Sequence, residues 1–174
     1  MTADDFTHFD DEGAARMVDV SAKGISLRLA RAEAVVLMRA ETLEKIQQRD
    51  FGKGDVLQVA RLAGILAAKQ TASLIPLCHS IPLERVDIDF ETIDHPPSVR
   101  IVATTQTSGK TGVEMEALTA ASVCALTIYD MCKSLDREME ITQIRLLEKL
   151  GGKSGHFQRE NSEPQSTPPP ADAT

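Results

Sequence analysis

The stretch from Thr111 to Lys133 constrains this chain more than any other. It opens Gly112-Val113-Glu114-Met115-Glu116 and closes Tyr129-Asp130-Met131-Cys132-Lys133, and between these ends it carries almost nothing polar except Thr and Ser. The pattern predicts one long helix over about residues 113–135. A second apolar helix is expected over about 56–74, where Ala, Leu, Ile and Val occupy most faces and Asp55 is placed to act as N-cap. A helix apolar on most of its faces is buried on more than one side. Two such helices carry more apolar surface than one sheet requires, and surplus surface of that kind goes into a subunit interface. An oligomer is therefore expected.

The strands read from alternation. Ile25, Leu27 and Leu29 alternate with small and polar residues, and an apolar run over 34–38 continues the strand past an irregularity near Arg31. A short helix is expected over 41–48, then a break at Phe51-Gly52-Lys53-Gly54. Pro76 and Pro82 bracket Leu77-Cys78-His79-Ser80-Ile81, which reads as an irregular loop. Val86, Ile88 and Phe90, followed by Val99, Ile101 and Ala103, make an antiparallel hairpin around Asp94-His95-Pro96-Pro97-Ser98, with one wet face. A final strand spans about 140–148. Strand, helices, strand, strand, helix, strand is the split βαβ order, so the expected fold is α+β, ferredoxin-like, with an antiparallel sheet covered by helices on one face.

A chain of 174 residues suffices for one ordinary domain with tails. Residues 1–12 are expected to be a loose acidic segment, 13–158 the single domain, and 159–174, with four of the eight prolines and no large apolar side chain, a disordered tail. The net charge of −7 resides in the two ends, which leaves residues 13–158 formally neutral. A neutral body with no Trp and one Tyr offers neither a basic field for duplex nucleic acid nor stacking platforms for single strands, so no nucleic-acid partner is expected. Three irregularly spaced cysteines are too few for a disulfide framework. The polar N-terminus is unlike a signal peptide, and no apolar run approaches the roughly 20 residues of a membrane span. A cytoplasmic location, away from any membrane, is the expectation.

Several residues can carry chemistry. Gly109-Lys110-Thr111 and Gly152-Lys153-Ser154 each lack the upstream glycine of a phosphate-binding P-loop, since Thr104 and Leu147 stand there. Each remains either a turn with a solvated lysine or, for the first, the opening of a helix whose free amides can receive a phosphate. Cys78-His79 has no partner spacing of a structural zinc site, and no metal site is expected. His79 can act as a general acid or base. Asp130 and Lys133 lie three apart on one helix face. They emerge from so apolar a stretch that partial burial is expected, which would suit the pair to proton transfer; the alternative is a surface ion pair. Lys53, between two glycines, is a further amine on a hinge-like segment.

Taken together, the motifs resemble one family. They are Ala15-Arg16-Met17-Val18-Asp19-Val20-Ser21, Lys53-Gly54-Asp55-Val56, Ala60-Arg61-Leu62-Ala63-Gly64-Ile65 and Leu74-Ile75-Pro76-Leu77-Cys78-His79. The helix from Thr111 to Ala120, Tyr129-Asp130-Met131-Cys132-Lys133 and Gly151-Gly152-Lys153-Ser154-Gly155 complete the set. The chain resembles the MoaC family over about residues 7–157, the cyclic pyranopterin monophosphate synthases of molybdenum cofactor biosynthesis. The resemblance implies a phosphorus–oxygen lyase. Its substrate would be (8S)-3′,8-cyclo-7,8-dihydroguanosine 5′-triphosphate, supplied by a radical enzyme, MoaA, and its products cyclic pyranopterin monophosphate and diphosphate. It also implies a homohexamer, a trimer of dimers, with sites between subunits. The rearrangement moves protons without net redox change, so no cofactor is expected beyond Mg²⁺ accompanying the triphosphate.

Carried over by position, the resemblance implies that Lys53, Asp130 and Lys133 are the acid/base and charge-stabilising groups. Leu77, Cys78, His79, Glu114, Met115 and Glu116 would line the pocket for the guanine-derived ring, the two glutamates accepting from its amide and amine. Arg28, Lys149 and Lys153 would face the triphosphate and stabilise the leaving diphosphate, with Lys153 on a glycine-rich loop able to close. Leu150 departs from the family, where Ser is frequent, and removes one hydroxyl from a phosphate contact. Two rival expectations stand beside this one: a phosphate-ligand-binding regulatory oligomer without turnover, and a zinc-binding scaffold.

Overall fold

The computed structural model describes residues 12–48, 54–153 and 155–160. The expectations for the N-terminal segment up to residue 11, for Lys53 and for the tail beyond residue 160 lie outside the described residues. The elements in chain order are β1 (Ser26–Leu37), α1 (Ala40–Gln48), α2 (Val56–Lys69), α3 (Thr71–Leu74), β2 (Arg85–Asp94), β3 (Pro97–Gly109), α4 (Glu114–Cys132), β4 (Glu140–Leu150) and β5 (Phe157–Gln158).

The strands form one five-stranded sheet in the order β2-β3-β1-β4-β5, and every neighbouring pair is antiparallel. The chain is thus α+β, with the strand on each side of a helical crossover separated by one intervening strand. β1 and β3 keep an unbroken register from Ser26↔Gly109 to Leu37↔Ser98, whereas the β1–β4 register shifts between Arg31 and Ala32 and between Glu33 and Val35. The irregularity expected near Arg31 is therefore a feature of one edge of β1 only.

Period-two alternation sorts β1 into two faces. Ala30, Ala32, Ala34 and Val36 are fully buried on the face covered by helices. α4 lies on them with Ala117, Ala120, Ala121, Cys124, Ala125 and Ile128, all at 0% exposure. Small residues on both sides let the helix backbone approach the sheet, and Ile88, Ile101 and Ile128 fill the remaining space, each worth about 1.5–3 kcal/mol of burial. α4 is long and apolar enough by length and composition to cross a bilayer, but here those residues pack on the sheet and α2.

α2 runs antiparallel to α4. The Cys124 thiol donates to the Ala60 carbonyl at 3.1 Å, and Gly64 faces Ala120 and Cys124 so closely that a Cβ there would collide with the Cys124 sulfur. The N-terminal end of α2, capped by Asp55 through the amides of Leu57 and Gln58, therefore lies toward the C-terminal end of α4. The expected continuous helix over 56–74 is instead broken at Gln70. Its amide turns back to Ala67, and the Thr71 hydroxyl donates to the Ala67 and Ala68 carbonyls, ending α2 before the short α3 begins.

The helix-free face of the sheet is polar. Glu33, only 2% exposed, accepts from Arg100 Nε at 2.7 Å and Arg145 Nε at 2.6 Å, so a buried carboxylate is satisfied by two guanidiniums. Beyond α4, buried Asp136 accepts from the Arg39 amide at 2.8 Å, the Glu138 amide at 3.2 Å and the Thr42 hydroxyl at 3.3 Å. This knot fixes the end of α4 against the start of α1.

Candidate functional site

Two groups of the expected residues form at opposite ends of α4. At its N-terminal end, the loop carrying Leu77, Cys78 and His79 meets Glu114, Met115 and Glu116 around a cavity of about 280 Å³, closed on one side by Val18, Val20 and Lys23. Two prolines prevent residues 76–82 from continuing a helix or joining a central strand, so the loop crosses the mouth of the cavity. The first turn of α4 aims both glutamates there.

Glu116 is 3% exposed, and its Oε2 atom is buried without a hydrogen-bond partner. Burial, and then the neighbouring charge of Glu114, push its carboxyl above the ordinary carboxylate value. The Cys78 thiol is likewise pushed up by burial and by Glu116. His79 Nε2 lies 2.8 Å from the Val18 carbonyl. A carbonyl only accepts, so this nitrogen carries the proton and donates, and in the neutral ring Nδ1 is left as an acceptor.

A larger cavity of about 820 Å³ adjoins the first and shares Lys23, Thr111, Gly112 and Glu114 with it. Its walls hold five cations, Lys23, Arg28, Lys110, Lys149 and Lys153, against Asp19 and Glu114. Lys149 Nζ lies 3.6 Å from Glu114 Oε1 and joins the two cavities electrostatically. Arg28 is 8% exposed and already committed in part: Nε donates to the Gly109 carbonyl at 3.2 Å and Nη2 to the Lys110 carbonyl at 3.3 Å. Gly151 and Gly152 have φ of +92° and +84°, and a Cβ on either would collide with the Leu27 carbonyl or the Arg28 guanidinium. The loop thus needs glycine to wrap Arg28, and Lys153 follows it exposed to solvent.

Asp130 and Lys133 stand at the other end. Fourteen residues separate Glu116 from Asp130, which is about 21 Å of helix. Lys133 Nζ donates to Asp130 Oδ1 at 2.6 Å, with the side chains 56% and 69% exposed. The expected partial burial is not found within one chain, because the pair sits on the same face of α4 as exposed Leu126, turned away from sheet and α2. Hydrogen bonding and charge from Asp130 raise the Lys133 pKa, so it stays an ammonium well above neutrality. Lys53 lies outside the described residues; Gly54, the next residue, begins the α2 end that lies toward this pair.

Sequence reasoning gave no role to Lys23 or Lys110. Lys110 belongs to the Gly109-Lys110-Thr111 turn, where the expected phosphate contact is through helix amides and not through the lysine, and Lys23 lies just beyond the motif over 15–21. Among the described residues, no group of three His, Cys, Asp or Glu side chains lies together as a metal site.

A protein-family model described as the MoaC family matches residues 17–152. A protein of Desulfitobacterium hafniense named cyclic pyranopterin monophosphate synthase is 57% identical over 157 residues, covering 90% of this chain and 96% of its own length. Proteins of the same name from Heliobacterium modesticaldum and Syntrophomonas wolfei are also 57% identical, over 157 and 155 residues, and 99% of each is covered.

Proposed function

The chain belongs to the MoaC family, and on that premise we propose that it converts (8S)-3′,8-cyclo-7,8-dihydroguanosine 5′-triphosphate to cyclic pyranopterin monophosphate and diphosphate in molybdenum cofactor biosynthesis. The observation that carries this reading is the pair of joined cavities. One is small and lined by Glu114, Glu116, Cys78 and His79; the other is lined by five cations. A purine-derived ring with N–H donors fits the first, and a triphosphate fits the second. Glu114, in contact with both, spans the junction between base and tail.

In this reading Glu114 and Glu116 accept from the ring, and Met115 and Leu77 pack against it. Arg28 shapes the 109–110 turn and the glycine loop, while Lys149 and Lys153 stabilise charge on the departing diphosphate. The proton transfers that open one ring and close another fall to Asp130, Lys133 and Lys53. Asp130 and Lys133 are too far along α4 to reach the same ring within one chain. We therefore assign each site to two chains, with the Asp130–Lys133 end of one copy completing the glutamate-lined cavity of another.

Exposed apolar side chains support that assembly. Leu126 lies one turn before Asp130, and Val59, Leu62 and Leu66 are exposed on α2. The assembly proposed is a homohexamer built as a trimer of dimers. The ferredoxin-like fold is supported by the order β2-β3-β1-β4 with its split crossovers. The proposal includes a cytoplasmic location, substrate supply by MoaA, no nucleic-acid or membrane partner, and no resident cofactor, with any Mg²⁺ entering as part of the triphosphate substrate. The test is diphosphate release from the cyclised dihydro-GTP substrate by wild type and Lys133→Ala. Release by wild type alone supports the enzyme; tight binding without release by either contradicts it in favour of a regulatory ligand-binding oligomer.

A further inference from the structure

Residues 18–24 cross both cavities without forming a helix or strand, and apart from half-buried Val18 and Val20 they are exposed. Two side chains reach up to this segment from the site beneath. His79 donates to the Val18 carbonyl, and Lys110 Nζ donates to the Ser21 carbonyl at 2.8 Å. A local turn, with Ser21 N–H on Asp19 Oδ1 at 2.8 Å and Lys23 N–H on the Val20 carbonyl at 3.1 Å, points Lys23 over the cationic cavity.

We infer that residues 18–24 form a strap that a linear polyphosphate in the cationic cavity draws closed, and that Lys110 is the positioning residue that couples the two. The inference rests on the proposed occupancy of that cavity by the substrate's phosphates. An ammonium has three N–H donors, and Ser21 uses one of them. Lys110 can therefore hold the strap and a phosphate oxygen together, without releasing either. Lys23 rides on the strap and reaches the same phosphates only when the strap lies down. Segments with few buried apolar contacts open locally at low free-energy cost. A ligand that binds only the closed form suppresses opening by the factor 1 + [L]/Kd, about tenfold at ten times Kd. The coupling is reciprocal: the factor by which bound polyphosphate strengthens the clasp is the factor by which loss of the clasp weakens polyphosphate binding.

The experiment is hydrogen–deuterium exchange of peptides spanning residues 17–26, with affinity for the same ligand measured by calorimetry. The probes are inorganic tripolyphosphate, standing for the substrate tail, and inorganic diphosphate, the product, with sulfate at matched ionic strength as control. At about ten times Kd, wild type should show exchange slowed about tenfold, and Lys110→Arg, which keeps the charge and donors, should behave alike. Lys110→Met should bind more weakly and show no slowing even when saturated, while its α4 peptides exchange as in wild type. Protection by tripolyphosphate alone assigns closure to the substrate-bound state, and protection by both extends it to the product complex. Tight binding to wild type without slowing, or equal slowing in Lys110→Met, overturns the strap and leaves the proposed activity standing. If neither polyphosphate binds wild type, both the strap and the phosphate assignment of the cavity fall.

Discussion

Asp130 accepts a 2.6 Å hydrogen bond from Lys133, three residues further along, and both side chains stand in solvent at the C-terminal end of α4. The pair is assembled before any substrate arrives, on an exposed face of the helix. Because Asp130 raises the Lys133 pKa, the ammonium persists through neutral pH and is lost only as pH climbs through that raised value. Lys133→Ala should therefore abolish diphosphate release while leaving the melting temperature of the protein unchanged. Calorimetry beside a turnover assay checks this; a large drop in melting temperature would show the pair to be structural.

Glu116 behaves in the opposite sense. A buried carboxyl raised above its unfolded value binds a proton more readily in the folded state, so it favours folding at low pH. That contribution is lost as pH rises from the ordinary glutamate range through the raised value. Glu116→Gln, of the same shape and always neutral, should flatten the pH dependence of unfolding and leave stability at neutral pH equal or higher. Substrate affinity should fall at the same time. Urea unfolding at several pH values between about 4 and 8 measures the slope. An unchanged slope would place the titrating group elsewhere.

The three thiols should separate by reactivity. Burial pushes Cys124 up to about 12 and, with Asp136, Cys132 up to about 11, while Cys78 is raised less and is half-exposed in the cavity wall. The thiolate is the nucleophile, so iodoacetamide should label Cys78 slowly in the native protein, faster at higher pH, and leave the other two unmodified until the chain unfolds. Mass spectrometry of the labelled peptides reads this directly. Early labelling of Cys124 would contradict the packing of α2 on α4.

Asp136 should matter for stability more than any charged residue near it. Burial alone would raise its carboxyl, but the Arg39 and Glu138 amides, the Arg39 guanidinium and the Thr42 hydroxyl hold it below the ordinary value. Its contribution is present above the unfolded aspartate value and fades as pH falls through the lowered one. Asp136→Ala strands two amides and a hydroxyl, and should cost about 3 kcal/mol in chemical denaturation at neutral pH. A loss near zero would mean that water replaces the carboxylate.

Much of the fold was legible because apolar periodicity and capping are local. Asp55 caps α2 where expected, and the hairpin of β2 and β3 follows its alternation. The break at Gln70 was not legible, since Thr71 can continue a helix as readily as end one, and its hydroxyl bonds decide the outcome. The two-residue β5 carries no periodicity at all. Leu77, Cys78, His79, Glu114, Met115 and Glu116 in the glutamate cavity, and Arg28, Lys149 and Lys153 in the cationic one, were named by the motifs that resemble the family. Lys110 and Lys23 were not, because their partners are backbone carbonyls and a neighbouring segment, which no side-chain pattern announces. The exposure of Asp130 was missed for a related reason. The apolar stretch before the pair implies partial burial, whereas Leu126, Asp130 and Lys133 share a face that is exposed within one chain.

That open face decides the central claim, that each site is built from two chains. Lys133→Ala protein, inactive alone, and Glu116→Gln protein, assayed at a substrate concentration too low for its weakened affinity to give turnover, should be mixed, dissociated and reassembled, and diphosphate release measured from the cyclised dihydro-GTP substrate. If the lysine of one chain serves the glutamates of another, random reassortment restores wild-type sites in about a quarter of positions, and activity returns to about that fraction. Mixed oligomers verified by mass that remain inactive would contradict the account, and would confine the chemistry to groups within a single chain.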